Sequence, residues 1–426
     1  IHAIMVQTNF ETGSGVMKLF RIHENDNVGV AIRRLKKGVK ISLGRLSLRI
    51  RETIPPGHKV ALATLPSGAN VYKYGHVIGR TTRRVPEGAW LHSHNLKTNL
   101  GKTVNYVYSP LAHHHGKTQG VTFSGYRRAN GRVGTRNEIW ILSTVGCING
   151  FAEKLASSAA RKFKLKNCDG IFAVTHPYGC SQLGADLEHT RKILAGLAQH
   201  PNVGGLLVLG LGCENNQLEC QLKLMKNLQA RRLRFFNLQS VEDEMSSGLK
   251  ALGELVQVAE KDRRVECPVS ELVVGVKCGG SDAFSGITAN PLAGRIADLL
   301  TAQGGTIILS EVPEMFGAEQ LLMNRARDRK VFRQIVSLIK NFKEYFVSHH
   351  QPVYENPSPG NKEGGITTLE EKSLGAIQKG GLAQVTEVLD YGELAERGGL
   401  VLLNAPGNDG VSSTAMIASG AVLLLF

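Results

Sequence analysis

The sequence predicts an α/β protein in which an N-terminal all-β module precedes two parallel α/β lobes. Between residues 25 and 95, short β-branched stretches alternate with Pro and Gly, which is typical of strands joined by tight turns. After Arg127 the pattern changes to continuous apolar runs separated by amphipathic segments. Continuous apolar runs are expected where helices cover both faces of a parallel sheet.

Six apolar runs predict the strands of the two lobes, and three segments with helical spacing predict helices between them. The predicted strands lie at residues 138–145, 170–176, 205–212, 271–277, 305–311 and 399–405. The predicted helices lie at residues 151–163, 186–199 and 291–303. Strands that alternate with helices in this way run parallel, so their carboxyl ends meet at one edge of each sheet.

With 426 residues the chain is long enough to form several domains. The expected divisions are a β module at 17–95, a linker at 96–125, a first α/β lobe at 126–265 and a second α/β lobe at 266–426. Met17 is expected to be the natural start, which makes residues 1–16 a non-native extension. The chain stops within the apolar run GAVLLLF, so we expect a buried last strand and a C-terminus that is shortened.

The formal net charge of +15 is concentrated in the N-terminal third of the chain. Residues 1–140 hold 22 Lys and Arg against 6 Asp and Glu. Such a region can attract an anionic metabolite or bind nucleic acid. Because no basic groove interleaved with aromatic residues is visible, we expect a small anionic substrate and no nucleic acid.

The composition also bears on compartment and partners. No run of about 18 apolar residues occurs, and no secretory signal opens the chain. Seven scattered cysteines do not form a disulfide framework and are typical of a reducing compartment. We therefore expect a cytoplasmic protein without a membrane partner, and the sequence leaves a homo-oligomer open.

Four of the seven cysteines follow predicted strands and are flanked by Gly: Cys147, Cys180, Cys213 and Cys278. Loops at this edge of a parallel sheet are where ligands bind. Thiolate and imidazole favour iron or zinc, and nearby carboxylates extend the choice to manganese or magnesium. The pattern therefore predicts a metal site, with an iron-sulfur cluster less favoured. His92 and His94 are further candidate ligands because alternation along a strand places both on one face.

Long stretches of the sequence resemble the altronate and galactarate dehydratase family. They include GYRRANGRVGTRNEIWILSTVGCINGFA, THPYGCSQLGAD, LGLGCENNQ, CGGSDAFSGITANP, EVPEMFGAEQLLM, YENPSPGNKEGGITTLEEKSLGAIQKGG and APGNDG. The resemblance runs from residue 26 to the last residue. One departure is that family members continue into a segment with a Gly-Arg-Gly-Thr-Pro motif, which this sequence lacks.

The resemblance implies that the β module is a SAF-type domain with a β-clip fold and that the two lobes form the dehydratase body. It also implies a hydro-lyase that uses Fe(2+) or Mn(2+). The implied substrate is D-altronate and the implied product is 2-dehydro-3-deoxy-D-gluconate, in hexuronate (galacturonate) catabolism.

Dehydration of a sugar acid requires a base for the proton beside the carboxylate and an acid for the departing hydroxyl. The candidates for proton transfer are His176, Glu311, Glu314 and Lys379, of which Lys379 could instead bind the substrate carboxylate. Candidate substrate-binding residues lie in Gly- and Pro-rich turns, where polar side chains also serve as turn formers. They are Asn215, Ser281, Asp282, Asn361, Asn408 and Asp409.

Three alternatives remain open from the sequence. The same scaffold could dehydrate galactarate or a related sugar diacid, or it could eliminate sulfite from sulfolactate. Outside enzymes, the basic β module could belong to a nucleic-acid-binding or carbohydrate-binding protein, which predicts binding that weakens steeply with salt.

Overall fold

The computed structural model describes residues 17–101, 105–112, 120–226, 228–354 and 356–426. The expected extension at residues 1–16 therefore lies outside the described residues. Two parts of the expected linker, residues 102–104 and 113–119, also lie outside them.

The β module contains nine short strands that pair only in antiparallel fashion. They are β1 (Leu19–Phe20), β2 (Val28–Ala31), β3 (Lys40–Leu43), β4 (Leu46–Arg49), β5 (Lys59–Ala61), β6 (Asn70–Lys73), β7 (His76–Thr81), β8 (Trp90–Leu91) and β9 (Leu96–Lys97). The strands form two sheets with the orders β1-β2-β5-β8 and β6-β7-β9, and β3 and β4 form a separate two-stranded hairpin. The last strand lies beyond residue 95, where the sequence pattern had ended the module.

One type of tight turn recurs four times in the module. Gly38, Gly57, Gly68 and Gly88 occupy equivalent positions, with φ between 76 and 84°. Only glycine adopts this conformation without strain. At Gly88 a side chain is also excluded by space, because a Cβ would lie 2.1 Å from the carbonyl oxygen of Arg49. These turns explain why the Pro and Gly pattern predicted an all-β module.

The first lobe is built around a four-stranded parallel sheet with the order β13-β12-β14-β15. Its strands are β10 (Thr122–Arg127), β11 (Val133–Gly134), β12 (Glu138–Ser143), β13 (Gly170–Val174), β14 (Val203–Gly210), β15 (Leu233–Asn237) and β16 (Val265–Pro268). Its helices are α1 (Asn149–Lys162), α2 (Gly184–Ala198), α3 (Leu218–Leu224) and α4 (Glu244–Ala259). The strands β11, β10 and β16 form a separate antiparallel sheet that joins the two ends of the lobe.

The second lobe has a five-stranded parallel sheet with the order β19-β20-β18-β17-β21. Its strands are β17 (Val273–Val276), β18 (Thr306–Leu309), β19 (Val385–Leu389), β20 (Gly399–Leu403) and β21 (Leu423–Leu425). Its helices are α5 (Ala289–Ala302), α6 (Glu319–Met323), α7 (Arg329–Ser348), α8 (Pro359–Glu363), α9 (Leu369–Ala376) and α10 (Asp409–Ala418). The fold class predicted from the sequence is confirmed, and each predicted strand and helix overlaps an observed one.

Two strands of the parallel sheets, β15 and β19, were not predicted because charged and polar residues interrupt their apolar pattern. The run GAVLLLF does form a strand, but it is not buried as expected. Leu423 is 46% exposed because β21 is an edge strand with a single neighbour, β17.

The second lobe lies between the other two parts of the molecule. Val71 and Leu91 of the β module share one hydrophobic core with Val276 and Leu369 of the second lobe. A second core joins the two α/β lobes. The β module therefore packs on the lobe that is most distant from it in the sequence.

Candidate active site

The carboxyl edge of the second-lobe sheet gathers charged side chains from three strands. Lys277 follows β17, Glu311 follows β18 and Asp409 begins the helix after β20. Because β17, β18 and β20 are parallel, their last residues meet at the same edge. Lys277 Nζ contacts carboxylate oxygens of both Glu311 and Asp409. The Asp409 side chain is 74% exposed, so the cluster opens to solvent on that side.

Glu311 is the centre of this cluster and is held in an unusual backbone conformation. Its φ of 66° and ψ of 54° lie in the left-handed region, which is costly for a residue with a side chain. Its carboxylate accepts from Lys379 Nζ at 3.1 Å and from the backbone N–H of Cys278 at 2.9 Å, and it lies 3.4 Å from Lys277 Nζ. Strain of this kind persists where the surrounding contacts determine the conformation, and it is concentrated at functional sites.

Lys277 was not among the residues selected from the sequence. It is the last residue of a predicted strand and therefore looks like part of the apolar run. A lysine at the carboxyl end of such a run nevertheless indicates a functional residue. Burial lowers its pKa, but the ion pairs with Asp409 and Glu311 act more strongly in the opposite direction, and the net effect is to raise the pKa of Lys277. Lys277 is therefore a buried, permanently charged ammonium group at neutral pH.

A second ion pair lies beside the first. The 3₁₀ helix Val312–Met315 carries Glu314, whose Oε1 lies 2.9 Å from Lys372 Nζ. The other carboxylate oxygen of Glu314, Oε2, is buried and has no hydrogen-bond partner among the described residues. A buried carboxylate oxygen normally has a partner, so this atom is available to a ligand. Lys372 was also missed, because a charged run on a helix usually faces solvent.

Cys278 adjoins the same carboxylates. Its Sγ lies 2.8 Å from Ser281 Oγ. Burial, followed by the negative charge of Glu314, raises the pKa of the Cys278 thiol. The thiol is consequently protonated at neutral pH in this arrangement.

The other three candidate cysteines belong to the first lobe. Cys147, Cys180 and Cys213 follow β12, β13 and β14 at the carboxyl edge of that sheet, and all three are exposed. The loops after β13 and β14 are joined, since the backbone N–H of Asn215 donates to the carbonyl of Cys180 at 2.8 Å. These cysteines therefore share an edge, as their positions in the sequence predicted, but it is not the edge that holds Cys278.

His176 lies in the same loops as the first-lobe cysteines, and both of its ring nitrogens are occupied. Nε2 donates to the carbonyl of Ser143 at 2.9 Å, and Nδ1 accepts from the backbone N–H of Tyr178 at 3.3 Å. Burial lowers the pKa of His176, and the hydrogen bond to Ser143 opposes this only in part. His176 is thus neutral and serves as a link between strand-end loops, separate from Glu311, Glu314 and Lys379.

His92 and His94 lie in the β module beside Trp90, whose ring stacks on that of His92 at a centroid distance of 5.5 Å. Nδ1 of His92 lies 3.3 Å from Oγ1 of Thr367 in the second lobe. Burial, followed by the positive charge of Lys59, lowers the pKa of His92 to about 4. His92 is therefore neutral and close to the second lobe rather than to the first-lobe cysteines.

The candidate metal ligands and the carboxylates near them carry the donor groups that iron(II) and manganese(II) bind, namely thiol, imidazole and carboxylate groups. Within the described ranges, however, no three His, Cys, Asp or Glu side chains form a group that could hold a metal ion. The predicted ligands are divided among the β module, the first-lobe edge and the second-lobe edge. The donor chemistry is present but the ligand set is not converged, and the identity of the ligands stays a prediction.

Most of the candidate substrate-binding residues have structural contacts. Asn408 caps α10 by accepting from the N–H of Val411. Asp282 accepts from the N–H of Ser285 at 2.7 Å, and Asn361 donates to the carbonyl of Ser281 at 2.8 Å. Ser281 contacts Cys278 and Asp409 pairs with Lys277 at the second-lobe edge, whereas Asn215 donates to the carbonyl of Gln182 at the first-lobe edge. Substrate binding by these six residues stays a prediction.

Within the described residues, no helix has the length and apolar character needed to cross a membrane.

The amino-acid sequence of this chain is clearly similar to the sequences of known enzymes. Family models match nearly all of the chain: the altronate/galactarate dehydratase SAF domain at residues 17–99, the second domain of D-galactarate dehydratase/altronate hydrolase at 125–260, and the C-terminal domain of D-galactarate/altronate dehydratase at 269–426.

Full-length relatives agree with these matches. Altronate dehydratase of Bacillus subtilis (strain 168) is 49% identical over 96% of this chain and 83% of its own length. Altronate dehydratase of Escherichia coli (strain K12) is 46% identical over the same shares, and galactarate dehydratase (L-threo-forming) of E. coli K12 is 35% identical over 95% and 80%. The protein is therefore an enzyme of the hydro-lyase class. It belongs to the altronate/galactarate dehydratase family.

Proposed function

We propose that this enzyme removes water from D-altronate to form 2-dehydro-3-deoxy-D-gluconate, using the second-lobe edge as its active site. The observation that carries the proposal is Oε2 of Glu314, which has no hydrogen-bond partner among the described residues. The other oxygen of Glu314 binds the buried Lys372, and the neighbouring Glu311 binds the buried Lys277 and Lys379. The similarity to altronate dehydratases supports altronate as the substrate.

The charges of this edge suit a sugar acid. Lys277, Lys372 and Lys379 face two buried carboxylates, Glu311 and Glu314, so the buried groups carry one excess positive charge before the exposed Asp409 is considered. A substrate carboxylate would be attracted to the ammonium groups. Removing the proton at C2 gives that carboxylate a second negative charge, and fixed ammonium groups stabilise such a charge more in the transition state than in the substrate.

In the proposed reaction, Glu314 Oε2 accepts the proton from C2, and the electrons of that C–H bond move onto the substrate carboxylate. They then return to form the C2–C3 double bond. The C3–O bond breaks, and the leaving hydroxide takes a proton from the Lys379 ammonium to depart as water. The enol that remains converts to the 2-oxo acid by moving its hydroxyl proton to C3. Glu311 holds the Lys379 ammonium group in place for this transfer.

We also propose that Fe(2+) or Mn(2+) supports activity. Cys278 and Asp409 at the second-lobe edge and Cys147, Cys180 and Cys213 at the first-lobe edge are the donors that could hold it, and His92 and His94 of the β module are further candidates. When bound near the substrate, the ion would act as a Lewis acid toward the carboxylate and the departing hydroxyl.

The test is turnover by the protein purified without oxygen, with iron(II), manganese(II) or a chelator, on altronate, galactarate and sulfolactate in parallel. The proposal expects 2-oxo acid formation to be fastest with altronate. Faster turnover of galactarate, or release of sulfite from sulfolactate, would assign one of the alternatives instead. Undiminished turnover in the chelator would contradict the metal requirement, and salt-sensitive DNA binding without turnover would support the non-enzyme reading.

The cytoplasmic location, the role in hexuronate catabolism and a homo-oligomeric state are further proposals. The similarity to altronate dehydratases supports the metabolic role. Sizing the protein by light scattering would establish the oligomeric state.

A further inference from the structure

Residues 361–372, here called the bridge segment, lie between the β module and the proposed active site. On one side, the carbonyl of Glu363 lies 3.0 Å from Nε2 of His58 in the β module. On the other side, the carbonyl of Gly364 accepts from the N–H of Ala283, in the loop that follows Cys278, at 2.9 Å. The bridge segment therefore contacts both parts of the molecule at once.

Lys59 of the β module is the main contact on one side. Its side chain is fully buried, and its ammonium group donates to the carbonyl of Gly365 at 2.7 Å, to Oγ1 of Thr367 at 2.6 Å and to Oε2 of Glu371 at 2.8 Å. An ammonium group has three hydrogens, and all three are used. Lys59 thus ties three points of the bridge segment to the module.

Lys73, also fully buried, binds the other oxygen of Glu371 at 2.7 Å. Burial alone would raise the pKa of Glu371, but the charges of Lys59 and Lys73 lower it to about 2. Glu371 is therefore ionised at any physiological pH. It is held from both sides by groups of the β module and has no freedom to rotate.

Lys372, the next residue, contacts the proposed active site. Its Nζ lies 2.9 Å from Glu314 Oε1, and it donates to Oδ1 of Asn356 at 3.0 Å and of Asn361 at 3.1 Å. Glu371 and Lys372 both belong to α9, in which every residue from Leu369 to Ala376 is buried. Since a short, fully packed helix moves as a unit, fixing Glu371 also fixes the position of Lys372.

Stability alone gives little reason for such an arrangement. Removing three charges from water is costly, and apolar residues of similar size are often equally or more stabilising. What the three charged groups supply is a single orientation of the helix. A shift of about 1 Å in a catalytic group can cost about 100-fold in rate, so orientation at this point matters for function.

We propose that Lys59 and Lys73 are positioning residues of the reaction: through Glu371 and α9 they hold Lys372 against Glu314. The β module thus helps to hold an active-site residue in position and is not merely an accessory domain. The inference rests on the proposed function, because it assigns Lys372 to substrate binding at the second-lobe edge.

A double-mutant cycle in the full chain tests the proposal, with Lys73→Met, Lys372→Met and both together, and with kcat and KM for altronate as readouts. If Lys73 acts through Lys372, Lys73→Met lowers kcat/KM at least tenfold, and the double variant is no slower than Lys372→Met within a factor of two. Lys40→Met, at an exposed lysine of the β module, is the matched control and leaves both constants unchanged.

Independent roles give a different result: the two single losses multiply in the double variant, which would overturn the proposal. If Lys73→Met fails to fold, Thr367→Val replaces it, since this change keeps all three charges and removes only the hydroxyl that binds Lys59. The same non-multiplicative result is expected with Lys372→Met. A wild-type chain without turnover would contradict the proposed function, whereas active wild type with multiplicative losses would contradict only this inference.

Discussion

At the scale of single residues, the second-lobe edge combines buried charges with a carboxylate oxygen, Glu314 Oε2, that has no hydrogen-bond partner among the described residues. Both carboxylate oxygens of Glu311 have partners, namely Lys277, Lys379 and a backbone N–H, and its left-handed backbone directs the carboxylate toward them. Glu314, by contrast, has a lysine on one oxygen only. Two neighbouring carboxylates in different environments can take different roles, and here Glu314 has the capacity to accept a proton while Glu311 holds the lysines.

Replacing Glu314 by Gln tests this division of roles. The amide keeps the shape of the side chain but cannot accept a proton, so we expect kcat to fall by about 100- to 10,000-fold. The assay is 2-oxo acid formation from altronate, with the thermal midpoint measured in parallel. Glu344→Gln, at an exposed position of α7, should leave the rate unchanged. Retention of more than a tenth of wild-type kcat in the Glu314 variant would exclude it as the base.

Glu371 should contribute a distinct pH dependence to stability. Lys59 and Lys73 lower its pKa from the ordinary value of 4.5 to about 2, so the stabilisation is present above pH 4.5 and is lost as the pH falls toward 2. We expect Glu371→Gln to destabilise the protein at pH 7 by about 3–5 kcal/mol, because it leaves two buried lysines without their carboxylate.

The difference in unfolding free energy between wild type and Glu371→Gln should shrink as the pH falls from 4.5 toward 2, measured by urea denaturation at a series of pH values. Glu153→Gln, on the exposed face of α1, should show no such convergence. A difference that stays constant across this range would mean that Glu371 does not titrate as an ion paired with the two lysines.

At the scale of elements, α9 is an eight-residue helix with no exposed face. Glu370 accepts from the hydroxyl of Thr98 at 2.9 Å and from the N–H of Asn99 at 2.7 Å, while Glu371 and Lys372 contact the module and the active site. Three successive buried charged residues thus each have polar partners outside the helix. A helix this short is not stable alone, so its caps and tertiary contacts determine whether it forms.

The cap of α9 offers a direct test at this scale. Thr368 Oγ1 accepts from the N–H of Glu371 and donates to the carbonyl of Ile78 in the β module. Thr368→Ala removes both contacts and should lower the free energy of unfolding by about 1–2 kcal/mol, measured by urea denaturation. Thr414→Ala is the control, because its hydroxyl bonds only within α10, to the carbonyl of Gly410. Equal effects of the two changes would mean that the cap is not important.

The position of the candidate site could be predicted from the sequence, but most of its pairings could not. Parallel strands end at one edge, so the order of the chain was sufficient to place Cys278 and Glu311 together. The ion pairs of Glu371 join residues about 300 positions apart, and such pairs leave no local pattern. The run Leu-Glu-Glu-Lys of α9 also resembles an exposed helix start, because burial on every side removes the amphipathic spacing.

At the scale of the whole molecule, the second lobe supports both of the other parts through separate interfaces. The β module packs on it through the bridge segment and a shared core. The first lobe packs on it through α2 and α10, which approach each other closely at Gly196. A Cβ at Gly196 would lie 2.5 Å from the carbonyl oxygen of Ala418, so this glycine sets the distance between the two helices.

Gly196→Ala should therefore lower the free energy of unfolding by about 1–3 kcal/mol, because the helices must separate to accept the methyl group. Gly150→Ala, in α1, is the matched control: its Cβ would have no atom within 4 Å, and the change should be neutral or stabilise by up to about 1 kcal/mol. Both values are measured by urea denaturation. A Gly196 variant as stable as wild type would show that the lobes can adjust their spacing without cost.

The packing of the β module on the second lobe has a consequence for synthesis. Lys59 and Lys73 leave the ribosome 312 and 298 residues ahead of Glu371, their only carboxylate partner in the described structure. At about 5–20 residues per second, the ribosome needs on the order of 15–60 s to add that length. During this interval the module has two lysines and an apolar surface without their partners, although its nine strands are complete. The β module is therefore made well before the segment that completes its packing.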